Sequence, residues 1–278
     1  PPGNIWTGFH TTFEGENRAF GEATIPFYIT APINTKGENQ VSGKVYSSKN
    51  ELIQTIKTTP LDSGLNYISW RLDEAVTKRA GGWDDPEAKG ILALPGTYKV
   101  VLQLHGKKDS TWVNVIPDPR FEYHEEVELA HHDALKRLDR TASKLAAALN
   151  KLKESTDAVD EVLRQLEKNQ TKESEDLRKE STTIKAAIKT LSESATGARP
   201  AKQVGAWSSF QVTAQSKVSE AQQALRARLY KPSVQDIQRI EVAEQLTDEF
   251  EKQVETFYTN EWRLYREKIE TARLSWFK

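Results

Sequence analysis

The sequence predicts a two-part protein of β plus α class: a small β-sandwich, followed by a long antiparallel helical bundle built on heptad-like apolar repeats. Two observations carry this. Nine of the 11 prolines and most of the 14 glycines lie before Arg120, among β-branched and aromatic runs bounded by turn residues. From Arg120 to Lys278 the chain turns rich in Ala, Leu, Glu, Lys, Arg and Gln, and its apolar residues recur in steps of three and four. The boundary falls at Asp118-Pro119, and 278 residues suffice for two cores.

In the first part, 23–30 reads as a strand that Pro26 confines to an edge or a bulge. Residues 41–47 and 52–58 flank the polar connection Ser48-Lys49-Asn50-Glu51 and pair as a hairpin. In 65–72, alternation sets Leu65, Tyr67, Ser69 and Arg71 on one side and Ile68, Trp70 and Leu72 on the other, with Trp70 in the core. Pro95-Gly96 opens the strand 97–104, whose residues Tyr98, Val100, Leu102 and Leu104 share a face. The turn 105–109 leads to a strand over 111–116, and the Gly- and Asp-rich stretch 79–89 is a loop. Short strands at this spacing, with no helical pattern between them, predict the sandwich.

In the second part, Leu135, Leu138, Ala142, Leu145, Leu149, Leu152, Thr156, Val159, Leu163 and Leu166 form one long seam. A second helix carries Leu177, Ile184, Ile188 and Leu191 and stops near Gly197 to Pro200. Trp207, Ala214, Val218, Ala221, Leu225 and Leu229 mark a third. The fourth opens at Pro232-Ser233, where Ser233 and Asp236 have the spacing of a capping box, and continues through Ile237, Ile240, Leu246, Phe250, Val254, Phe257, Leu264, Ile269 and Leu274. Four stripes joined by short connections predict an up-and-down arrangement.

Composition narrows the function. Lys plus Arg number 39 against 40 Asp plus Glu, a net charge of −1, so the basic excess that phosphate neutralisation requires is missing and nucleic acid is not expected as a partner. With no cysteine there is no disulfide, thiolate metal site or cysteine nucleophile. Methionine is absent too, for which composition offers no physical reason. No apolar run is long enough to span a bilayer and Pro1-Pro2-Gly3-Asn4 has no signal-peptide pattern, so the chain reads as soluble and as a piece of something larger.

Candidate chemistry is sparse. His124, Glu128 and His132 are spaced i, i+4, i+8, which on a helix could present one N/O face to a divalent ion; a solvated polar face at a helix start is the commoner outcome of such a pattern. Asp84-Asp85 with Glu87 could form a calcium loop or a glycosidase pair, but adjacency in sequence does not hold two carboxyls across a bond, and a hydrophilic turn is the simpler reading. Trp6, Trp83 and Trp112 are candidates for an aromatic platform for sugar or peptide, with Trp83 and Trp112 the foremost ligand-binding candidates; core or interdomain packing is the commoner use of such residues. Trp207, Trp262 and Trp276 are expected to pack between helices or against the sandwich. No phosphate loop or nucleophile elbow is found, so no catalytic residue and no cofactor site are assigned. Long heptad helices suit a protein partner or self-association.

The stretches Gly15-Glu16-Asn17-Arg18-Ala19-Phe20-Gly21-Glu22-Ala23, Gly64-Leu65-Asn66-Tyr67-Ile68-Ser69-Trp70, Leu94-Pro95-Gly96-Thr97-Tyr98-Lys99-Val100 and Pro117-Asp118-Pro119-Arg120 occur in this order. Their succession resembles the C-terminal region of large secreted bacterial proteins with sortilin-like β-propellers, often labelled BNR-repeat glycosyl hydrolases. The Pro-Gly-Thr-Tyr run also resembles the immunoglobulin-like domains appended to many secreted bacterial proteins. This resemblance implies a linker over 1–14, an immunoglobulin-like sandwich over 15–119 and a helical bundle over 120–278. It further implies an accessory, non-catalytic module in a secreted or cell-envelope protein. The propeller, together with whatever glycosyl-hydrolase activity accompanies it, would lie before Pro1. The Asp-box repeats of a propeller occur nowhere in this chain, so no family catalytic residue carries over. The expected partners are another protein or the preceding propeller, with carbohydrate as the alternative.

Overall fold

The structure, a computed structural model, describes residues 22–30, 40–59, 62–75, 90–119, 122–167, 172–198, 211–226 and 231–272. Six strands come first: β1 (Ala23–Ile29), β2 (Val41–Tyr46), β3 (Leu52–Thr58), β4 (Gly64–Trp70), β5 (Gly96–Leu104) and β6 (Lys107–Val115). They form two antiparallel sheets, one of β1 with β4 and one in the order β3-β2-β5-β6. Pro26, which cannot donate to a ladder, sits opposite Tyr67 in the two-stranded sheet, where each strand keeps one side unpaired.

Turn chemistry sets the registers. In the β2–β3 hairpin the Ser47 hydroxyl accepts from the amides of Lys49 and Glu51, and Asn50 takes a left-handed φ of 62°. Between β5 and β6 the turn shortens to His105-Gly106, with φ of 46° and 79°. Two consecutive positive-φ residues make a tight hairpin whose twist matches its strands, so pairing runs on to Leu104↔Lys107 and β6 begins four residues earlier than the pattern predicts.

Inward residues of both sheets, Ile25, Val45, Ile68, Trp70, Tyr98 and Val100, join Ala93 in one buried cluster. Trp70 and Tyr98 meet edge to face with ring centroids 5.1 Å apart. The buried indole N–H of Trp70 donates to the Asp73 carbonyl at 2.9 Å, which removes the cost of burying it. Asp73 is itself buried, and its carboxylate accepts from the Gly90 amide at 3.0 Å and the Gln54 amide at 3.3 Å. Gly90 is required here, since a Cβ would stand 1.9 Å from the Glu74 carbonyl oxygen.

The helices are α1 (Glu125–Leu166), α2 (Lys172–Thr196), α3 (Ala214–Arg226), α4 (Val234–Phe257) and α5 (Arg263–Thr271), with the π-helical turn Tyr258–Trp262 joining the last two. The chain divides into two units: Pro1–Val76 with Pro86–Leu135 and Arg226–Lys231, and Thr77–Asp85 with Lys136–Leu225 and Pro232–Lys278. Strand pairing and the Trp70 cluster belong to the first, and the helical packing described next belongs to the second.

The buried stripe of α1 differs from the expected seam. Leu138, Leu145, Leu152, Val159 and Leu166 are buried, but their partners in the stripe are Thr141, Ala148 and Ser155, while Ala142, Leu149, Thr156 and Leu163 are only half-buried. α2 repeats the pattern, burying Ser174, Ser181, Ile188 and Ala195 at intervals of seven.

Helix directions correct the up-and-down expectation. α2 runs antiparallel to α1, as the contacts of Asp160 with Lys185 and of the Leu166 carbonyl with Arg178 require. α4 runs parallel to α1: Arg137 meets Glu244, Lys144 meets Asp248 and Glu251, and Ser155 meets Tyr258. The two directions are reconciled by α2 ending beside α3, where the Ala198 amide donates to the Gln211 side chain at 3.0 Å. Ser233 caps α4 as its spacing predicts, the Asp236 amide donating to its hydroxyl and its own amide donating to the Asp236 carboxylate.

The buried positions of α4, namely Asp236, Ile240, Ala243, Thr247, Phe250, Val254 and Phe257, keep alternating steps of four and three. Continued by steps of four and three, that series reaches Glu261 and then Leu264, both of which are exposed, whereas Tyr265 is buried. The π turn inserts one residue and moves the seam by one.

Candidate functional site

Strand pairing determines which side chains share the outward face of the four-stranded sheet. Val45, Val100 and Tyr98 point to the core, so the alternate positions face outward. One row across the strands is Leu52, Tyr46, Lys99 and Trp112; the next is Thr55, Lys44, Val101 and Ser110; the third is Lys57, Ser42, Gln103 and Lys108, and Thr97 with Asn114 flanks the first. Trp112 is 63% exposed, and the Lys99 ammonium stands 5.9 Å from its ring centroid. At that distance the cation and the indole face attract one another, and the ring is held as a platform on the sheet. Lys44, Lys57, Lys99 and Lys108 all belong to this face, and none of the paired outward residues is a carboxylate.

The histidine cluster takes a different form from the one its spacing suggests. His124 lies just before α1 and serves as its first acceptor, its carbonyl receiving the amides of Val127 and Glu128, while its ring is exposed and 3.6 Å from Glu122. His132 is buried and its Nε2 lies 2.9 Å from the Glu74 carboxylate. Glu128 lies in the first turn of α1, where its charge suits the helix dipole. Among the described residues, no three His, Asp or Glu side chains come together to hold an ion. Trp6, Trp83, Asp84, Asp85, Glu87, Trp207 and Trp276 lie outside the described residues. Trp262 packs with Phe257, Tyr258 and Tyr265 in the ring cluster of the π turn.

Polar groups between the helices are used for packing. Tyr258 donates to the Lys151 carbonyl at 2.8 Å, leaving Ser155 as the donor in their 2.6 Å contact. Ser181 gives its proton to the Leu177 carbonyl, so Tyr265 is the donor in their buried contact. Burial holds the phenols of Tyr258 and Tyr265 above the usual tyrosine pKa, and the same holds for Tyr98, with Glu74 adding a smaller push.

Comparison of the chain with protein-family models, curated proteins and solved structures finds no match. Among the described residues no helix is long and apolar enough to cross a membrane.

Two features escaped the sequence. The partner of His132 is Glu74, which lies 58 positions away and which no local spacing reveals. The lysine face is spread over four strands, and each lysine taken alone is an ordinary solvated residue until strand order places them side by side.

Proposed function

We propose that this chain is a non-catalytic accessory module of a larger secreted bacterial protein with a sortilin-like propeller. On this reading the two sheets are the leaves of an immunoglobulin-like sandwich that acts as a spacer. The helices form a bundle in which α2 and α3 together make the return leg, and this bundle offers a docking surface to a protein partner. The observation that carries the reading is α1. Its 42 residues form one uninterrupted helix, about 63 Å long at 1.5 Å per residue, and its stripe is satisfied by packing. Such an element supports and spaces; the buried hydroxyls beside it are committed to hydrogen bonds within the protein.

The test compares the chain with the full-length protein. Propeller repeats upstream of Pro1, and hydrolase activity confined to the longer protein or absent from both, are the expected results. Hydrolysis by the isolated chain overturns the reading.

A second reading, a carbohydrate-binding module, is favoured by the exposed indole of Trp112 beside Lys99. A glycan array on the chain and on its Trp112→Ala variant tests it: sugar binding that the variant loses is expected, and no binding to any glycan removes it.

A further inference from the structure

We propose that the outward face of the four-stranded sheet binds an acidic polysaccharide, with the Trp112 indole carrying a sugar ring and Lys44, Lys57, Lys99 and Lys108 engaging its carboxylates. This rests on the carbohydrate-binding reading and names its ligand class.

Charge sets this face apart. The chain as a whole has a net charge of −1, yet the three rows of this face collect these lysines with no Asp or Glu among their paired residues. Lysines on the outer strands of a sheet have a common explanation, since they deter edge-to-edge aggregation. That accounts for Lys57 on β3 and Lys108 on β6. It does not account for Lys44 on β2 or Lys99 on β5, because both of those strands are paired on each side. Among the described residues neither central lysine has a carboxylate partner; Lys44 is exposed, and the Lys99 ammonium lies against the Trp112 ring, where an anion reaches both side chains.

Its shape and chemistry suit a polysaccharide. Adjacent strands lie about 4.8 Å apart, so Tyr46, Lys99 and Trp112 span roughly 10 Å and the face is a shallow platform rather than a cleft. An extended polymer fits such a surface. Between the lysines stand Ser42, Thr55, Gln103 and Ser110, which offer hydroxyl and amide groups to the hydroxyls of a sugar. A pyranose presents an apolar C–H face to an indole while its carboxylate reaches an ammonium group, and Trp112 and Lys99 are neighbours across the strands. A nucleic acid fits less well: arginine is the side chain best matched to phosphate, and this face has none.

The experiment is affinity electrophoresis of the full chain in gels containing polygalacturonate, dextran or oligothymidylate. Retardation by polygalacturonate that weakens steeply with salt is the expected result, with little effect of dextran or oligothymidylate. Lys44→Gln and Lys99→Gln should each weaken binding about 2- to 5-fold, as for exposed charge pairs, and the four glutamine substitutions together by more than about 10-fold. Trp112→Ala should weaken it by about 5- to 10-fold through the lost ring contact. Lys153→Gln, an exposed change on α1, should leave it unchanged. Circular dichroism of each variant checks that the fold is retained; Lys44, Lys57 and Lys108 are exposed, and Lys99 is half-buried beside Trp112. Equal retardation by dextran overturns the acidic class while leaving the carbohydrate-binding reading in place. Equal retardation by oligothymidylate shows a general polyanion surface and overturns the proposal. Absence of retardation in all three gels overturns both, and an equal loss in Lys153→Gln overturns the assignment of the face.

Discussion

The phenol of Tyr265 donates a buried hydrogen bond to Ser181 at 2.9 Å, and Ser181 passes its own proton to the Leu177 carbonyl. The bond is directional, and its two ends are not equivalent. Tyr265→Phe leaves Ser181 with its carbonyl acceptor and should cost about 0.5–1.5 kcal/mol, the net worth of one hydrogen bond. Ser181→Ala leaves a buried phenol proton without that acceptor and should cost about 1–3 kcal/mol. Urea unfolding of both single variants and the double variant checks the order; a larger loss in Tyr265→Phe contradicts the assigned direction.

The same burial predicts an alkaline limit. Tyr98, Tyr258 and Tyr265 have folded pKa values above the ordinary value of about 10, so the folded protein holds these protons more tightly than the unfolded chain. Their contribution to stability is complete below the unfolded value and is lost as pH rises through the folded values. Tyrosinate absorbance should show these phenols titrating above the ordinary value of about 10, and unfolding midpoints should fall across the same interval.

Gly90 and Asp73 make a steric and a polar prediction at one place. Gly90→Ala drives a Cβ into the Glu74 carbonyl and should destabilise by more than about 2 kcal/mol, since backbone must move to relieve it. Asp73→Ala deprives the Gly90 amide of its acceptor and Arg71 of its carboxylate, while the Gln54 side chain keeps only the Glu74 carbonyl, and should cost about 2–4 kcal/mol. Thermal unfolding of each variant measures this, and near-wild-type midpoints for both contradict the hub.

At the start of α4 the capping box predicts about 1 kcal/mol lost in Ser233→Ala. Asp236→Ala should cost more, since that buried carboxylate also meets Arg239 at 3.0 Å. Hydrogen exchange at the amides of the first turn of α4 should quicken in both.

How much of this was legible in the chain depends on the range of the interaction. The inward set Ile68 and Trp70, the face shared by Tyr98 and Val100, and the Ser233–Asp236 cap rest on neighbours two to three residues apart, and alternation or cap spacing states them directly. Where hydrophobicity was the only guide, it misplaced the α1 stripe: Thr141, Ala148 and Ser155 carry little apolar signal, yet they lie deeper than Leu149 and Leu163. Leu264 was misplaced for another reason, since a single π turn changes the phase of a helix without any proline or glycine to announce it.

By itself, then, the sequence determined the element types, a change from strands to helices that falls between Val115 and Glu125, and the local caps and turns, because those depend on backbone preference and on periods of two and about 3.5 residues. Tertiary structure alone decided that α4 runs parallel to α1, that His132 meets Glu74 and that Lys44 and Lys99 share a face with Trp112. Each of these joins residues far apart in the chain, and only strand order and helix packing bring such residues within reach of one another.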